Sequence, residues 1–205
     1  MTPSKNTHFP LFSLLILTLF PACVDLEPQV DNSRFYILDP TPIGGEPEEH
    51  DAAHPSVYFP QITLPSFLTT TKLAVRESGT ELKFYENHRW AEPLDDSLLR
   101  ALVSHIRSGL PENWTITNYP NRRSDAKGYE VQIQVEQLEG NTAGTAHFVG
   151  QFQLYSNGDE LRTRQLEHHE HFHFTTTWQH DEPAELPQKL SILVQQLSEA
   201  ILKVL

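Results

Sequence analysis

Apolar and polar residues alternate along much of this chain with the two-residue period of half-buried strands. The clearest case sets Tyr129, Val131, Ile133 and Val135 against Glu130, Gln132, Gln134 and Glu136. Further strands are predicted at Phe35–Leu38, Val57–Leu64, Leu73–Arg76, Glu81–Tyr85, Ala146–Tyr155 and Leu161–Gln165. Glu77-Ser78-Gly79-Thr80 reads as a turn, and Asn157-Gly158 has the composition of a two-residue type I′ hairpin turn. Pro60 and Pro65 lack an amide donor and push the Val57–Leu64 segment toward a sheet edge or a strand end.

A three- to four-residue period replaces the alternation twice. Leu98, Leu99, Leu102, Val103 and Ile106 form one apolar stripe, with Asp95 placed to cap the helix and Gly109-Leu110-Pro111 to end it. Leu186, Leu190, Leu193, Val194, Leu197, Ile201 and Val204 form the second. The expected fold class is α+β: a single domain with a mostly antiparallel sheet and two amphipathic helices packed on one face. Between the first two strands, Gly44, Gly45, four prolines and the acidic run Glu46-Glu48-Glu49-Asp51 mark residues 39–56 as a mobile acidic loop.

The N-terminal segment follows neither pattern. Phe9–Phe20 is nearly all apolar and is preceded by Lys5 and no acidic residue. Twelve helical residues rise roughly 18 Å, well short of a hydrocarbon core of about 30 Å, so this is the length of a signal h-region and not of an anchor. Leu19-Phe20-Pro21-Ala22 then leads into Cys23, the single cysteine of 205 residues. A small residue at the cleavage position followed at once by cysteine is a lipobox pattern, with Phe20 and Pro21 as departures from its usual residues. The reading is a signal peptide over 1–22, lipidation on Cys23, a tether over 23–34 and a domain over 35–205. One cysteine also excludes an internal disulfide.

Charge narrows the partners. Removing Lys5 with the leader leaves 14 basic against 27 acidic residues, a net charge of −13 with histidine neutral. Such a body repels phosphate backbones and anionic headgroups, which argues against nucleic acid and leaves the membrane to be held through the lipid. No Gly-x-Ser-x-Gly elbow or phosphate-cradling glycine loop is present, and a lipidated cysteine is no nucleophile, so no catalytic residues and no cofactor beyond the lipid are expected.

The histidines are the remaining candidate chemistry. His169-Glu170-His171-Phe172-His173 satisfies His-Glu-x-x-His, which holds zinc only on a helix, where positions four apart share a face. The following Phe174-Thr175-Thr176-Thr177-Trp178 favours a strand, on which His169 and His173 stand about 13 Å apart, too far for one ion. His169 and His171 would share a strand face at about 6.6 Å and could chelate a transition ion. A periplasmic metal-binding lipoprotein therefore stands as the alternative function.

Trp90-Ala91-Glu92-Pro93-Leu94, leading into the first helix, resembles the signature of the PqiC-type ABC-transport auxiliary lipoproteins. The order of Phe35-Tyr36-Ile37-Leu38, Pro65-Ser66-Phe67-Leu68, Leu73-Ala74-Val75-Arg76 and the C-terminal helix agrees with that family over roughly residues 23–205. The resemblance implies a non-enzymatic, outer-membrane, lipid-anchored component of an intermembrane lipid-transport system. It would work with a periplasm-spanning MCE-domain protein in maintaining envelope integrity; a homo-oligomer formed through an aromatic surface is the other assembly the sequence leaves open. Aromatic side chains dominate protein interfaces, which makes Phe67, Trp90 and Trp114 the candidate partner contacts by type. For Trp90, packing at a strand-to-helix junction is the competing role.

Overall fold

The computed structural model describes residues 30–40, 55–121, 128–157 and 164–205. Asn32–Leu205 form one compact unit. Within it, eight strands and two helices run β1 (Arg34–Tyr36), β2 (Ser56–Phe59), β3 (Lys72–Ser78), β4 (Glu81–Trp90), α1 (Leu94–Gly109), β5 (Thr115–Asn118), β6 (Gly128–Asn141), β7 (Thr145–Asn157), β8 (Arg164–Thr177) and α2 (Leu186–Leu202).

The expected α+β class and the two helices are present, but the sheet is mixed and not mostly antiparallel. The antiparallel pairs are the hairpin neighbours β3–β4, β6–β7 and β7–β8. Four further pairings are parallel: β1–β4, β2–β5, β2–β6 and β3–β6. Hairpins join only strands that are neighbours in sequence, whereas β2 inserts between β5 and β6.

β6 organises the sheet. β7 runs along one of its edges for the whole length of the strand. Its other edge is divided, with β2 on Gly128–Glu130 and β3 on Gly140–Asn141. Thr63 joins between them, donating to the Ile133 carbonyl at 3.2 Å and accepting from the Val135 amide at 2.9 Å. The strand expected over Val57–Leu64 thus stops at Phe59, before Pro60, and touches the sheet again only at Thr63. A proline cannot donate to the ladder, and β2 is an interior strand.

The hairpin between β6 and β7 turns on three residues, Thr142–Gly144, with Gly144 at φ 81°. That left-handed conformation carries no Cβ penalty in glycine, and Asn141 Oδ1 accepts the Thr145 amide across the turn at 2.9 Å. Asn157 pairs with Arg164, so β7 and β8 are joined by six residues and not by a two-residue Asn157-Gly158 turn. Residues 158–163 lie outside the described residues, as do 41–54 of the expected loop.

The period of two places Val131, Ile133, Val135, Phe148, Phe152, Leu154 and Phe172 on one face of β6–β8, all buried. α2 packs on this face and on α1, presenting Leu190, Leu193, Val194, Leu197 and Ile201 to a single continuous core. The helix cap differs from expectation. α1 begins at Leu94 after Pro93, whose carbonyl accepts the Ser97 amide at 3.1 Å. Asp95 sits inside the first turn, where its charge favours the helix N-terminus and its Oδ2 accepts from Gln61 Nε2 at 2.9 Å.

Candidate functional site

The other face of β6–β8 carries the polar half of the alternation. Gln132 and Gln134 on β6 stand beside Gln151 and Gln153 on β7, and His169, His171 and His173 follow on β8. The four glutamines, with Pro60, Gln61 and Thr63, line a shallow groove of about 210 Å³. Gln151 Nε2 donates to Gln134 Oε1 at 3.0 Å, and Gln151 Oε1 lies 2.7 Å from His169 Nε2. An amide oxygen only accepts, so Nε2 of neutral His169 carries the proton and Nδ1 the lone pair.

His147, on β7, completes a row of imidazoles on this face. Asn141 Nδ2 lies 3.0 Å from His147 Nε2, and an amide nitrogen only donates. Neutral His147 therefore keeps its proton on Nδ1, from which it donates to His173 Nε2 at 3.4 Å. Burial holds the His147 pKa below the usual imidazole value; His173 and Arg76 add to the depression, and Glu139 opposes it.

The His-Glu-x-x-His stretch is a strand, as its neighbours predicted, and the alternation divides it. His168 and Glu170 point to the helix side of the sheet, 3.1 Å from one another, while His169, His171 and His173 point away. The glutamate of the motif is thus on the opposite face from both its histidines. Among the described residues, no three His, Cys, Asp or Glu side chains converge as a metal centre.

Trp90-Ala91-Glu92-Pro93-Leu94 is a strand-to-helix junction. The Trp90 amide donates to the Thr71 carbonyl at 2.6 Å and the Ala91 amide to the Tyr36 carbonyl at 2.8 Å. Glu92 pairs with Arg100 in the second turn of α1. Trp90 is 4% exposed and packs in the core, which removes it from the set of surface aromatic contacts. Phe67 and Trp114 are partly buried against the same core, and Trp114 stacks on Tyr129 at 5.9 Å. Cys23 lies outside the described residues.

Two apolar residues of the predicted Phe35–Leu38 strand are exposed: Phe35, at 61%, and Ile37, at 47%. β1 is an edge strand whose Tyr36 stacks on His88, its hydroxyl 2.8 Å from Nδ1. Burial and the nearby Arg34 hold the His88 pKa below the usual imidazole value. Beyond β1, Ser97 Oγ on α1 accepts the Leu38 amide at 3.1 Å, and Ser191 Oγ on α2 accepts the Asp39 amide at 3.0 Å. Both helices thus hold the chain where it leaves β1.

Residues 36–202 match the family model described as the ABC-type transport auxiliary lipoprotein component. Over 131 residues the chain is 22% identical to the intermembrane transport lipoprotein PqiC of Escherichia coli, covering 64% of this chain and 67% of that protein. The Shigella flexneri protein of the same name matches over the same length at the same identity. A crystal structure of an uncharacterized protein shares the fold with a TM-score of 0.68 at 22% identity, covering 83% of this chain and 97% of its own. A second, from Xanthomonas campestris, does so with a TM-score of 0.62 at 15% identity, covering 83% and 96%.

Proposed function

Because the chain belongs to the ABC-type transport auxiliary lipoprotein family, we propose that it is the non-enzymatic lipoprotein of a Pqi-type intermembrane lipid-transport system. In this reading a lipid on Cys23 anchors it at the periplasmic face of the outer membrane, and its body docks on an MCE-domain protein that spans the periplasm. The observation that carries the reading is the family match, which extends from β1 to the end of α2. The relatives named as intermembrane transport lipoproteins support it.

The physical picture is a body held near one membrane and not lying on it. Phe35 follows Cys23 by twelve residues, a tether reaching on the order of 20 Å if flexible. No helix among the described residues is long and apolar enough to cross a membrane. The net charge keeps the body off anionic headgroups. Val24, not aspartate, follows the cysteine, consistent with sorting onward to the outer membrane. Exposed Phe35 and Ile37, together with part-buried Phe67 and Trp114, are apolar side chains that a partner could contact.

Crosslinking in intact cells, followed by identification of the captured protein, tests this function. The expected capture is an MCE-domain protein, lost when the core is broken by Ile133→Asp and reduced by Phe35→Ser with Ile37→Ser. Palmitate should label the wild type and not Cys23→Ser. Saturating crosslinking that yields only peptidoglycan enzymes, or nothing, ends the transport reading.

A further inference from the structure

We propose that His169 and His171 form a two-imidazole binding site for a divalent transition ion, copper(II) ahead of zinc(II). The site lies on the outer face of β8 and is independent of the transport reading. Positions two apart on a strand share a face, and the two rings sit 4.9 Å apart between centroids with their planes inclined at 50°. Metal–nitrogen bonds of about 2.0–2.1 Å place each ring centroid roughly 3.2 Å from the ion, so two imidazoles at about 90–109° have centroids roughly 4.5–5.2 Å apart. The observed spacing falls within that window.

The second observation is the state of the nitrogens. A metal-ligating histidine typically donates its other ring N–H to a carbonyl or carboxylate, which fixes tautomer and ring orientation. His169 has this arrangement before any ion arrives. Its Nε2–H is held by Gln151 Oε1 at 2.7 Å, and Gln151 is held by Gln134 Oε1 at 3.0 Å, so in the neutral ring Nδ1 is the nitrogen with the lone pair. The relay passes from β6 through β7 to β8, so three strands orient one imidazole. Exposed His171 supplies the second nitrogen, and water completes the coordination.

The neighbouring pair is built the other way. His147 and His173 have ring centroids 5.7 Å apart, and their facing nitrogens, 3.4 Å apart, are already joined by a hydrogen bond. His147 Nε2 accepts from Asn141, whose Oδ1 is itself fixed by the Thr145 amide, so ligation through Nδ1 would leave an anionic imidazolate. His173 Nε2 is occupied by the proton His147 donates. The four imidazoles on this face therefore divide into one hydrogen-bonded pair and one pair open to a metal. Copper(II) heads the series for nitrogen ligands, and the net charge of −12 draws cations to the surface.

The test is titration of the purified full-length chain, carrying no affinity tag, with copper(II) chloride and then zinc(II) chloride at pH 7.4. Calorimetry gives the affinity, and electron paramagnetic resonance counts the nitrogens on copper. The expected result is one copper per chain with two imidazole nitrogens and weaker competition by zinc. His169→Gln and His171→Gln should each lower affinity at least tenfold and leave one nitrogen. Gln151→Leu should lower it about tenfold through loss of the orienting bond. His147→Gln and His173→Gln should leave both affinity and spectrum unchanged. The proposal is overturned if wild-type copper shows fewer than two imidazoles. It is also overturned if His147→Gln or His173→Gln is as damaging as His169→Gln. The wild-type spectrum decides the first point whatever the folding of any variant.

Discussion

Arg76 donates from two nitrogens to one oxygen of Glu139, Nε at 3.0 Å and Nη2 at 2.7 Å. The carboxylate is 2% exposed on β6 and the arginine lies on β3, so the pair closes the short parallel contact between those strands. The second carboxylate oxygen accepts the Leu138 amide at 3.0 Å, and Arg76 Nη1 donates to the Gly79 carbonyl at 3.1 Å. Removing one partner strands the other. Arg76→Ala should cost about 3 kcal/mol in urea unfolding, because the carboxylate stays buried without its counter-charge. The double change Arg76→Met, Glu139→Leu should recover more than half of that. A single-variant cost under about 1 kcal/mol would mean that solvent reaches Glu139 freely.

Gly140 lies against the indole of Trp178, and a Cβ built there would stand 2.6 Å from two ring carbons. Gly140→Ala is expected to destabilise the fold by about 1–3 kcal/mol through overpacking. It should also shift Trp178 fluorescence, since that ring is the part that must move. Trp178→Leu on the Gly140→Ala background should restore part of the loss. A Gly140→Ala protein with wild-type stability and an unchanged spectrum would contradict the contact.

Ser97 and Ser191 hold consecutive amides of the chain leaving β1. Ser97→Ala leaves the Leu38 amide, in a residue fully buried, without its acceptor, and should cost about 1–3 kcal/mol. Hydrogen exchange at Leu38 and Asp39 should accelerate while exchange in β6 stays slow. Ser97→Gly tests the same bond but adds the backbone freedom of glycine within α1, so alanine is the cleaner replacement.

His88 and His147 both have depressed pKa values, each caused first by burial. In the unfolded chain they titrate near the ordinary imidazole value of about 6.5. Between that value and the lower folded one, the unfolded state binds more protons, so stability falls as pH drops through the window. The stabilising contribution is therefore complete above about pH 7 and lost on acidification. The unfolding midpoint measured from pH 7.5 to 5 should decline less steeply in the His88→Gln, His147→Gln double variant than in wild type. Parallel slopes would show that neither group is held neutral by the fold.

Much of this architecture is written locally. The alternation through Tyr129–Glu136 locates the central strand, and the leucine spacing in 186–204 locates α2 and the face it buries. Sheet order is not local. Pairing Val57 with Tyr129 on one side and with Ile116 on the other requires β2 to insert between two later strands, and no short-range pattern encodes that. Asp95 had the right residue type for a cap, but the fixed φ of Pro93 starts α1 two residues earlier. At the histidines, a strand was legible from Phe174–Thr177, which disposed of a helical zinc motif. The tautomer of His169 was not, because it depends on glutamines from two other strands. Phe35 and Ile37 look like core residues by type. Their exposure follows from the alternation of faces, which turns Leu38 into the core and leaves Phe35 and Ile37 on the opposite side.

The divided edge of β6 also sets an order in time. β6, β7 and β8 are joined by a three-residue turn and a six-residue connection, so their loops close at small entropic cost. The contacts on the divided edge span far more chain: Ser56 meets Gly128, and Val75 meets Gly140. Contacts of high sequence separation form slowly because closure must precede any gain from them. The three-strand meander is thus expected to appear first, and its exposed β6 edge then receives β2 at one end and β3 at the other. Pulse-labelled hydrogen exchange during refolding should protect amides of β7 before those of β2 and β5. Until both arrivals are complete, half of a long interior strand stays open to pairing with another chain, so the interval between them is when this protein is most exposed to misassembly.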